Sequence, residues 1–157
     1  IRSCLVGSEM CIRDRIGLMG QVADAALENG GEVTGVIPES LADREIAHPR
    51  VTSLIVTTDM HERKKTMYDL ADAFIALPGG MGTLEEVFEA ATWTKLGMHR
   101  NGIYKPVVLL DNGEFWQDMI KFLNFQVSAG FVSQKNRESV CSAYTADQAI
   151  ELAMKNP

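Results

Sequence analysis

Apolar residues along the chain follow two periods, one typical of buried strands and one typical of helices. Short apolar runs at 33–37, 54–58, 73–77 and 107–110 have the length and composition of buried strands. Between these runs, apolar residues recur every three or four positions, which predicts helices over 16–30, from 59, from the turn after 77 to 97, and from 114. An edge strand at 139–143 and a closing helix at 147–155 complete the pattern. Strands that alternate with helices predict an α/β fold, a Rossmann-like three-layer sandwich with a parallel sheet and helices on both faces.

A glycine-rich turn joins the strand at 73–77 to the helix that follows it. Residues 77–86 read Leu-Pro-Gly-Gly-Met-Gly-Thr-Leu-Glu-Glu, with three glycines in four positions. Glycine permits positive φ and lacks the Cβ atom that keeps a ligand away from the backbone. A loop that opens a helix at the end of a parallel strand presents free N–H groups and about half a positive charge. We therefore expect an anion at this turn, most often a phosphate.

The residues alone leave a structural interpretation of the same turn open. The glycines would then serve only a tight turn, and Thr83-x-x-Glu86 would form a capping box in which Glu86 satisfies the Thr83 backbone N–H. Asp59 and Glu62 form a second possible capping box at the start of the preceding helix.

That preceding helix carries two cations on or beside its apolar face. Arg63 and Lys64 each lie three or four residues from both Met60 and Met67. Cations placed there need an anionic partner, because an unpaired buried charge is costly. The partner is a carboxylate such as Glu86, a ligand phosphate, or water that the long side chains reach.

Composition narrows the class of protein. The 157 residues predict one domain, and the net charge of −6 argues against general nucleic-acid binding. No apolar run approaches the roughly 20 residues of a membrane span, so we expect no membrane insertion. Cys4, Cys11 and Cys141 show neither zinc spacing nor an even disulfide count, which indicates the reducing cytoplasm. The three histidines are scattered, so no metal is predicted.

Residues 1–15 keep neither apolar period and resemble translated adapter sequence. We expect them to be a non-native leader, followed over 16–157 by a single α/β domain that is incomplete at its N-terminus.

The string Pro-Gly-Gly-x-Gly-Thr-x-x-Glu at 78–86 resembles the signature of the LOG family, the cytokinin riboside 5'-monophosphate phosphoribohydrolases, long labelled lysine decarboxylases. Met-His-Glu-Arg-Lys at 60–64 matches a second motif of that family, and 92–99 resembles a third, with Lys95 where the family usually has Gln. The resemblance covers about residues 17–132. In the family a Gly-rich turn and two strands precede this segment, so the chain is expected to lack roughly one βαβ unit of about 30 residues.

The resemblance implies a nucleotide-binding domain that hydrolyses the N-glycosidic bond of a purine (cytokinin) riboside 5'-monophosphate or AMP. The products are free base and ribose 5-phosphate, no cofactor is used, and members act as homodimers. Arg63 and Glu86 are implied to be catalytic. Implied substrate-binding residues are Glu45, Lys64, Gly79, Gly80, Met81, Gly82, Thr83, Leu84, Glu85 and Thr92.

The chemistry of these residues suits that reaction. Ligands of open parallel sheets bind beyond the carboxyl ends of the strands, and both motifs follow strand ends, at Thr58 and Leu77. We therefore expect Arg63 and Glu86 to meet in one cleft. A carboxylate near the ribose C1' stabilises an oxocarbenium-like transition state or activates water, by analogy with glycosidases.

Three alternatives stay open. A non-catalytic nucleotide or cofactor carrier of the same fold would keep the glycine-rich turn without needing the Arg and Glu pair. A lysine decarboxylase would need a Schiff-base lysine in a pyridoxal phosphate pocket, which nothing in the sequence marks. A chain that lacks a strand and a phosphate-binding turn would fold poorly and have no activity.

Overall fold

The computed structural model describes residues 3–6, 18–42, 49–111 and 113–155. Its elements, in chain order, are β1 Ser3–Val6, α1 Leu18–Glu28, β2 Thr34–Pro38, α2 Glu39–Ala42, β3 Ser53–Thr57, α3 Met60–Leu70, β4 Ala73–Ala76, α4 Met81–Leu96, a 3₁₀ turn Arg100–Gly102, β5 Val107–Leu110, α5 Gln117–Ser128, α6 Gln134–Arg137, β6 Val140–Ala143 and α7 Ala146–Met154.

The described elements fall into two compact units. The first contains β1 and everything from β4 to α7, and the second contains α1 to α3 with β2 and β3. A single domain over 16–157, preceded by a non-native leader, stays a prediction. Residues 3–6 form a strand, β1, where the sequence pattern predicted no element. No helix in the described ranges is long and apolar enough to cross a membrane.

The first unit is built on a four-stranded parallel sheet in the order β1-β4-β5-β6. Successive side chains of a strand point to opposite faces. On one face, Ile75, Val108 and Ala143 form a buried cluster with Ala149 of α7. Cys141 is half-buried against this cluster, as a small apolar residue would be.

The opposite face of this sheet is also buried. Phe74, Val107 and Leu109 have no exposed surface, and α4 packs against β4 and β5. Burial on both faces explains why these strands are continuous apolar runs rather than alternating ones. The prediction of parallel strands covered by helices is confirmed.

The second unit contains a separate two-stranded parallel sheet. β2 pairs with β3 from Thr34 opposite Ser53 to Pro38 opposite Thr57, and α3 packs on both strands. The α/β class with parallel strands is therefore confirmed, and the strands form two hydrogen-bonded sheets.

Several predicted helix ends agree with the structure, and one helix start does not. α1 ends before Gly30, and α4 ends at Gly97, where both glycines have left-handed φ values of 77° and 64°. α5 begins at Gln117 instead of Glu114. Glu114 has φ of 62°, which is incompatible with a helix, and the Trp116 N–H donates to the Asp111 carboxylate before the helix starts.

Three of the aromatic residues on and beside α5 are mostly exposed. Phe115, Phe122 and Phe125 expose more than half of their surface, at 52%, 54% and 63%, whereas Leu123 and Trp116 are buried. Helical periodicity groups side chains on one face without showing what covers that face.

Candidate functional site

The turn predicted to bind an anion lies between a buried strand and a long helix, as the sequence indicated. β4 is buried along its whole length, and Leu77 after it is 9% exposed. Residues 77–80 then lead into α4 at Met81. The turn therefore starts from a fixed position in the core.

Gly79 is required by a close approach, not by its φ angle. A Cβ atom at Gly79 would lie 2.9 Å from the Thr83 Cβ and still nearer to Thr83 Oγ1. Thr83 is 1% exposed, so it has little room to move away. None of the glycines in this turn has a positive φ, so the freedom in φ that glycine permits is not used here. At Gly79 the missing Cβ atom makes room for the Thr83 side chain, and the approach of a ligand to this backbone stays a prediction.

The first turn of α4 has backbone N–H groups as hydrogen-bond donors and contains no acidic residue that could bind them. Gly80 is the N-cap residue, and no described side chain caps the helix there. The first helical bond runs from the Leu84 N–H to the Gly80 carbonyl at 3.1 Å, so the earlier N–H groups have no helical acceptor. Within α4, all of which the structure describes, the first turn contains no acidic residue. This geometry favours an anion.

The capping-box interpretation of Thr83 and Glu86 is wrong. Thr83 lies inside α4, two residues after the first helical residue, so it is not the N-cap. Glu86 lies three residues further along the same face and is 4% exposed. A carboxylate buried to this degree is rare on a helix and indicates a specific chemical or structural role.

The other predicted residues of this segment differ in exposure. Met81 is 81% exposed, Glu85 is exposed, and Leu84 is half-buried. Thr92 is exposed, and its hydroxyl donates to the Phe88 carbonyl at 2.7 Å, a bond within the helix. Their part in substrate binding stays a prediction.

In the second unit, α3 buries both predicted cations. Arg63 is 4% exposed and Lys64 is 6% exposed, together with Met67 and Tyr68 on the same side of the helix. The prediction that the cations lie on the apolar face is confirmed. Their burial excludes the alternative in which long side chains reach water, since that alternative leaves the charged ends exposed. Arg63 Nη1 donates to the Met60 sulfur at 3.0 Å.

The first turn of α3 is held by two carboxylates. Asp59 accepts hydrogen bonds from the N–H groups of His61 and Glu62, both at 2.8 Å. Glu62 accepts from the Thr58 N–H and hydroxyl, both at 2.7 Å, and not from the Asp59 N–H that the predicted capping box required. The Asp59 half of that prediction is confirmed. Glu62 instead caps the N–H group of Thr58, one residue before Asp59.

These hydrogen bonds lower the pKa of both carboxyls. For Asp59 the main cause of the lowered pKa is the bond from the Glu62 N–H, with a smaller contribution from His61. For Glu62 the pKa is lowered by the Thr58 hydroxyl first and by the Thr58 N–H second. Both bonds stabilise the charged form.

Three expectations of the sequence analysis stay predictions. Glu45 lies outside the described residues. Arg63 belongs to one compact unit and Glu86 to the other, so their meeting in one cleft stays a prediction. No three His, Cys, Asp or Glu side chains in the described part of the chain form a possible metal-binding group, and the absence of a metal also stays a prediction.

A buried polar cluster near α4 was missed by the sequence analysis. The Thr94 hydroxyl donates to the Lys105 carbonyl at 2.6 Å and shares a hydrogen bond of 2.9 Å with His99 Nε2. Since a hydroxyl has a single proton, His99 must be the donor in the second bond. All three residues are buried, and the His99 ring lies 5.6 Å from that of Phe74. The one signal of this cluster in the sequence was the position of Thr94, near the C-terminal end of the predicted helix.

Comparisons with known proteins agree on one family. A family model described as "Possible lysine decarboxylase" matches residues 19–153. The cytokinin riboside 5'-monophosphate phosphoribohydrolase of Rhodococcoides fascians is 46% identical over 144 residues, covering 91% of this chain and 70% of that protein.

Two plant relatives carry the same name. The protein LOG2 of Arabidopsis thaliana is 44% identical over 137 residues, covering 87% of this chain and 62% of its own length. The protein LOG of Oryza sativa subsp. japonica is 45% identical over 135 residues, covering 86% and 54%. The chain thus spans 54 to 70% of the length of these three relatives.

The contact between Gly79 and Thr83 predicts that Gly79→Ala destabilises the protein. Because the new Cβ atom would overlap a buried β-branched side chain, we expect a loss of about 1 to 3 kcal/mol in the free energy of unfolding. Urea denaturation measures it. Gly113→Ala is the matched control, because no atom lies within 4 Å of its added Cβ. The loss at Gly79 should shrink in a Thr83→Ala background, and equal losses in both backgrounds would reject the contact.

The lowered pKa of Glu62 predicts how stability responds to acid. A carboxyl whose folded pKa is depressed stabilises the fold fully above its unfolded pKa, near 4.5, and loses that contribution as pH falls through the folded pKa. Glu62→Gln does not titrate, so its free energy of unfolding should fall less steeply than that of the wild type on acidification below about pH 4.5. Urea titrations at several pH values measure this, with Glu28→Gln at the exposed end of α1 as control. Equal slopes would reject the bond to Thr58.

Proposed function

Because the chain belongs to the family described as possible lysine decarboxylases, whose relatives above are named cytokinin riboside 5'-monophosphate phosphoribohydrolases, we propose that it is an N-glycosyl hydrolase. Its substrate is a cytokinin riboside 5'-monophosphate or AMP, and its products are the free base and ribose 5-phosphate. The observation that supports this most is the first turn of α4, where uncapped N–H groups precede the buried Glu86 carboxylate.

The proposed reaction is a hydrolysis that balances with one water molecule. The bond between ribose C1' and the base nitrogen breaks, and its electron pair leaves with the base, which gains a proton. Water adds its oxygen to C1' and loses a proton. Glu86 stabilises the positive charge that develops on the ribose or accepts the proton from the attacking water. A carboxylate in a buried environment does either more effectively than one in water.

The phosphate is held away from the bond that breaks. The N–H groups of Gly80, Met81, Gly82 and Thr83 bind its oxygens, and the helix dipole of α4 favours its charge. Binding energy at the phosphate positions the sugar without taking part in the chemistry. Arg63 binds a substrate oxygen, and Lys64 adds positive charge.

The family description indicates a lysine decarboxylase, whereas the names of the relatives indicate a phosphoribohydrolase. The residues at the start of α4 favour the phosphoribohydrolase. A lysine decarboxylase of the pyridoxal phosphate type needs a lysine that forms a Schiff base with the cofactor. The glycine-rich turn gives no such lysine a role, whereas it suits a phosphate on a nucleotide. A carrier that binds nucleotide without hydrolysing it would not require a buried carboxylate next to the turn.

The proposal includes a homodimer in the cytoplasm. Exposed aromatic rings on and beside α5 support an interface, namely Phe115, Phe122, Phe125 and Phe131. Exposed apolar surface of this kind is common at protein interfaces. The three cysteines, without zinc spacing or an even disulfide count, support a reducing compartment.

Loss of the Glu86 carboxylate is expected to abolish most of the hydrolysis. Release of free base from isopentenyladenosine 5'-monophosphate and from AMP is measured by chromatography. In Glu86→Gln, kcat should fall by about 10²- to 10⁴-fold, because the amide neither accepts a proton nor stabilises positive charge. Glu151→Gln, an exposed carboxylate in an ion pair of α7, is the matched control and should keep full activity.

Two further substrates separate this proposal from its alternatives. Isopentenyladenosine, which lacks the phosphate, should react with a kcat/KM lower by about 10³-fold or more, because the remote binding energy is gone. Nucleotide binding without base release in the wild type would favour the carrier. Carbon dioxide release from lysine with added pyridoxal phosphate would overturn the assignment.

Charge placed on the aromatic surface is expected to break the dimer. Phe125→Glu should shift the protein from dimer to monomer in sedimentation velocity at micromolar concentration, because a carboxylate is costly in an apolar interface. Ile150→Glu, at a half-exposed apolar position on α7, is the control and should remain dimeric. A wild type that sediments as a monomer, or a dimeric Phe125→Glu, would contradict this interface.

A further inference from the structure

One of the polar contacts of Arg63 is with Met60, a residue that has no role in the proposed reaction. Its Nη1 donates a hydrogen bond to the Met60 sulfur at 3.0 Å, within α3. The two residues are three positions apart, so their side chains lie on the same face of the helix. A thioether is a weak acceptor, but the guanidinium is charged and buried, and both conditions strengthen the bond.

The backbone beneath this contact is held in place. The Arg63 N–H bonds to the Asp59 carbonyl at 3.1 Å, and the Asp59 carboxylate caps the N–H groups of His61 and Glu62. Glu62 in turn holds Thr58. Fraying of the first turn would otherwise move Met60, which is its first residue. The capped turn therefore keeps the Met60 backbone in place beneath this contact.

Resting on the function proposed above, we propose that Met60 is a positioning residue that selects the productive rotamer of Arg63 through this hydrogen bond. An arginine side chain has four rotatable torsions, and freezing them costs conformational entropy. An acceptor at the guanidinium keeps a larger fraction of molecules in one rotamer. The loss of the acceptor therefore lowers the competent fraction, which reduces kcat, whereas KM is set mainly by the phosphate at α4.

Two substitutions separate the hydrogen bond from simple packing. Met60→Leu keeps an apolar side chain of similar volume and removes the acceptor. Met60→Gln keeps the length and places an amide oxygen near the sulfur position. Met60 is 41% exposed, so the amide can also reach water and both variants should fold. Met154→Leu, on α7 and 55% exposed, is the matched control for loss of a methionine sulfur.

The decisive experiment combines steady-state kinetics with NMR of protein labelled with ¹⁵N-arginine. Met60→Leu should lower kcat about fivefold with KM changed less than about twofold, and Met60→Gln should recover most of kcat. The Arg63 Nε–H resonance, assigned with Arg63→Lys, should shift in Met60→Leu and stay in place in Met154→Leu. Thermal midpoints exclude a general loss of folding.

The outcomes distinguish this inference from the function on which it rests. A Met60→Leu variant with full kcat and an unmoved Arg63 resonance would overturn the positioning role while base release by the wild type stands. Equal losses of kcat in Met60→Leu and Met60→Gln would mean that Met60 acts through packing alone, which would also overturn the positioning role. A wild type that releases no base rejects the proposed function, and the positioning role falls with it, even if the resonance shift still shows the contact itself.

Discussion

The contact between Thr83 and Gly79 is the constraint on which the proposed site depends. Thr83 belongs to α4 and Gly79 to the turn before it, so the helix holds its own entry loop in place. β4 fixes the other side of the turn, because each of its residues is buried in the sheet. A shift of the backbone between these two supports would have to move β4, a core strand, or the buried Thr83 side chain of α4. The N–H groups at the helix start therefore point in fixed directions before any ligand arrives.

The two helices that carry the family motifs, α3 and α4, differ in what binds the backbone N–H groups of their first turns. Each begins with backbone N–H groups that lack helical acceptors. In α3 the Asp59 carboxylate satisfies them from within the chain. In α4 the N-cap is Gly80, and no acidic residue stands in the first turn. An anion from solution would therefore find the N–H donors already occupied at α3 and available at α4. The proposed phosphate site is accordingly at the start of α4.

Local features of the sequence were enough to predict most elements. The run at 107–110 gave the bounds of β5, because four apolar residues between Pro106 and a polar turn are too few for a helix and suit a buried strand. The helical period placed Arg63 and Lys64 on a buried face, and both are buried. Gly97 ended α4 as predicted, since its left-handed φ stops a helix. Each of these depends on residues a few positions apart.

Features that depend on particular side-chain contacts were not predictable in this way. The glycines of the turn were explained by permitted positive φ and by the approach of a ligand, whereas at Gly79 the structure shows the Thr83 side chain where a Cβ atom would lie. The late start of α5 follows from the bond between Asp111 and Trp116, which no period encodes. The exposure of Phe125 depends on what packs against α5 and not on its helical position.

The loop between α4 and β5 shows where the chain tolerates change in length. Its two ends are anchored, by Thr94 bonded to His99 and the Lys105 carbonyl, and by the Pro106 carbonyl bonded to the Phe74 N–H. Between these anchors residues 100–103 are exposed and pass through a 3₁₀ turn. Residues inserted in this loop would therefore extend into solvent, and β5 would keep its register in the sheet. An epitope or a fluorophore attachment site inserted there would report on the protein without disturbing the sheet.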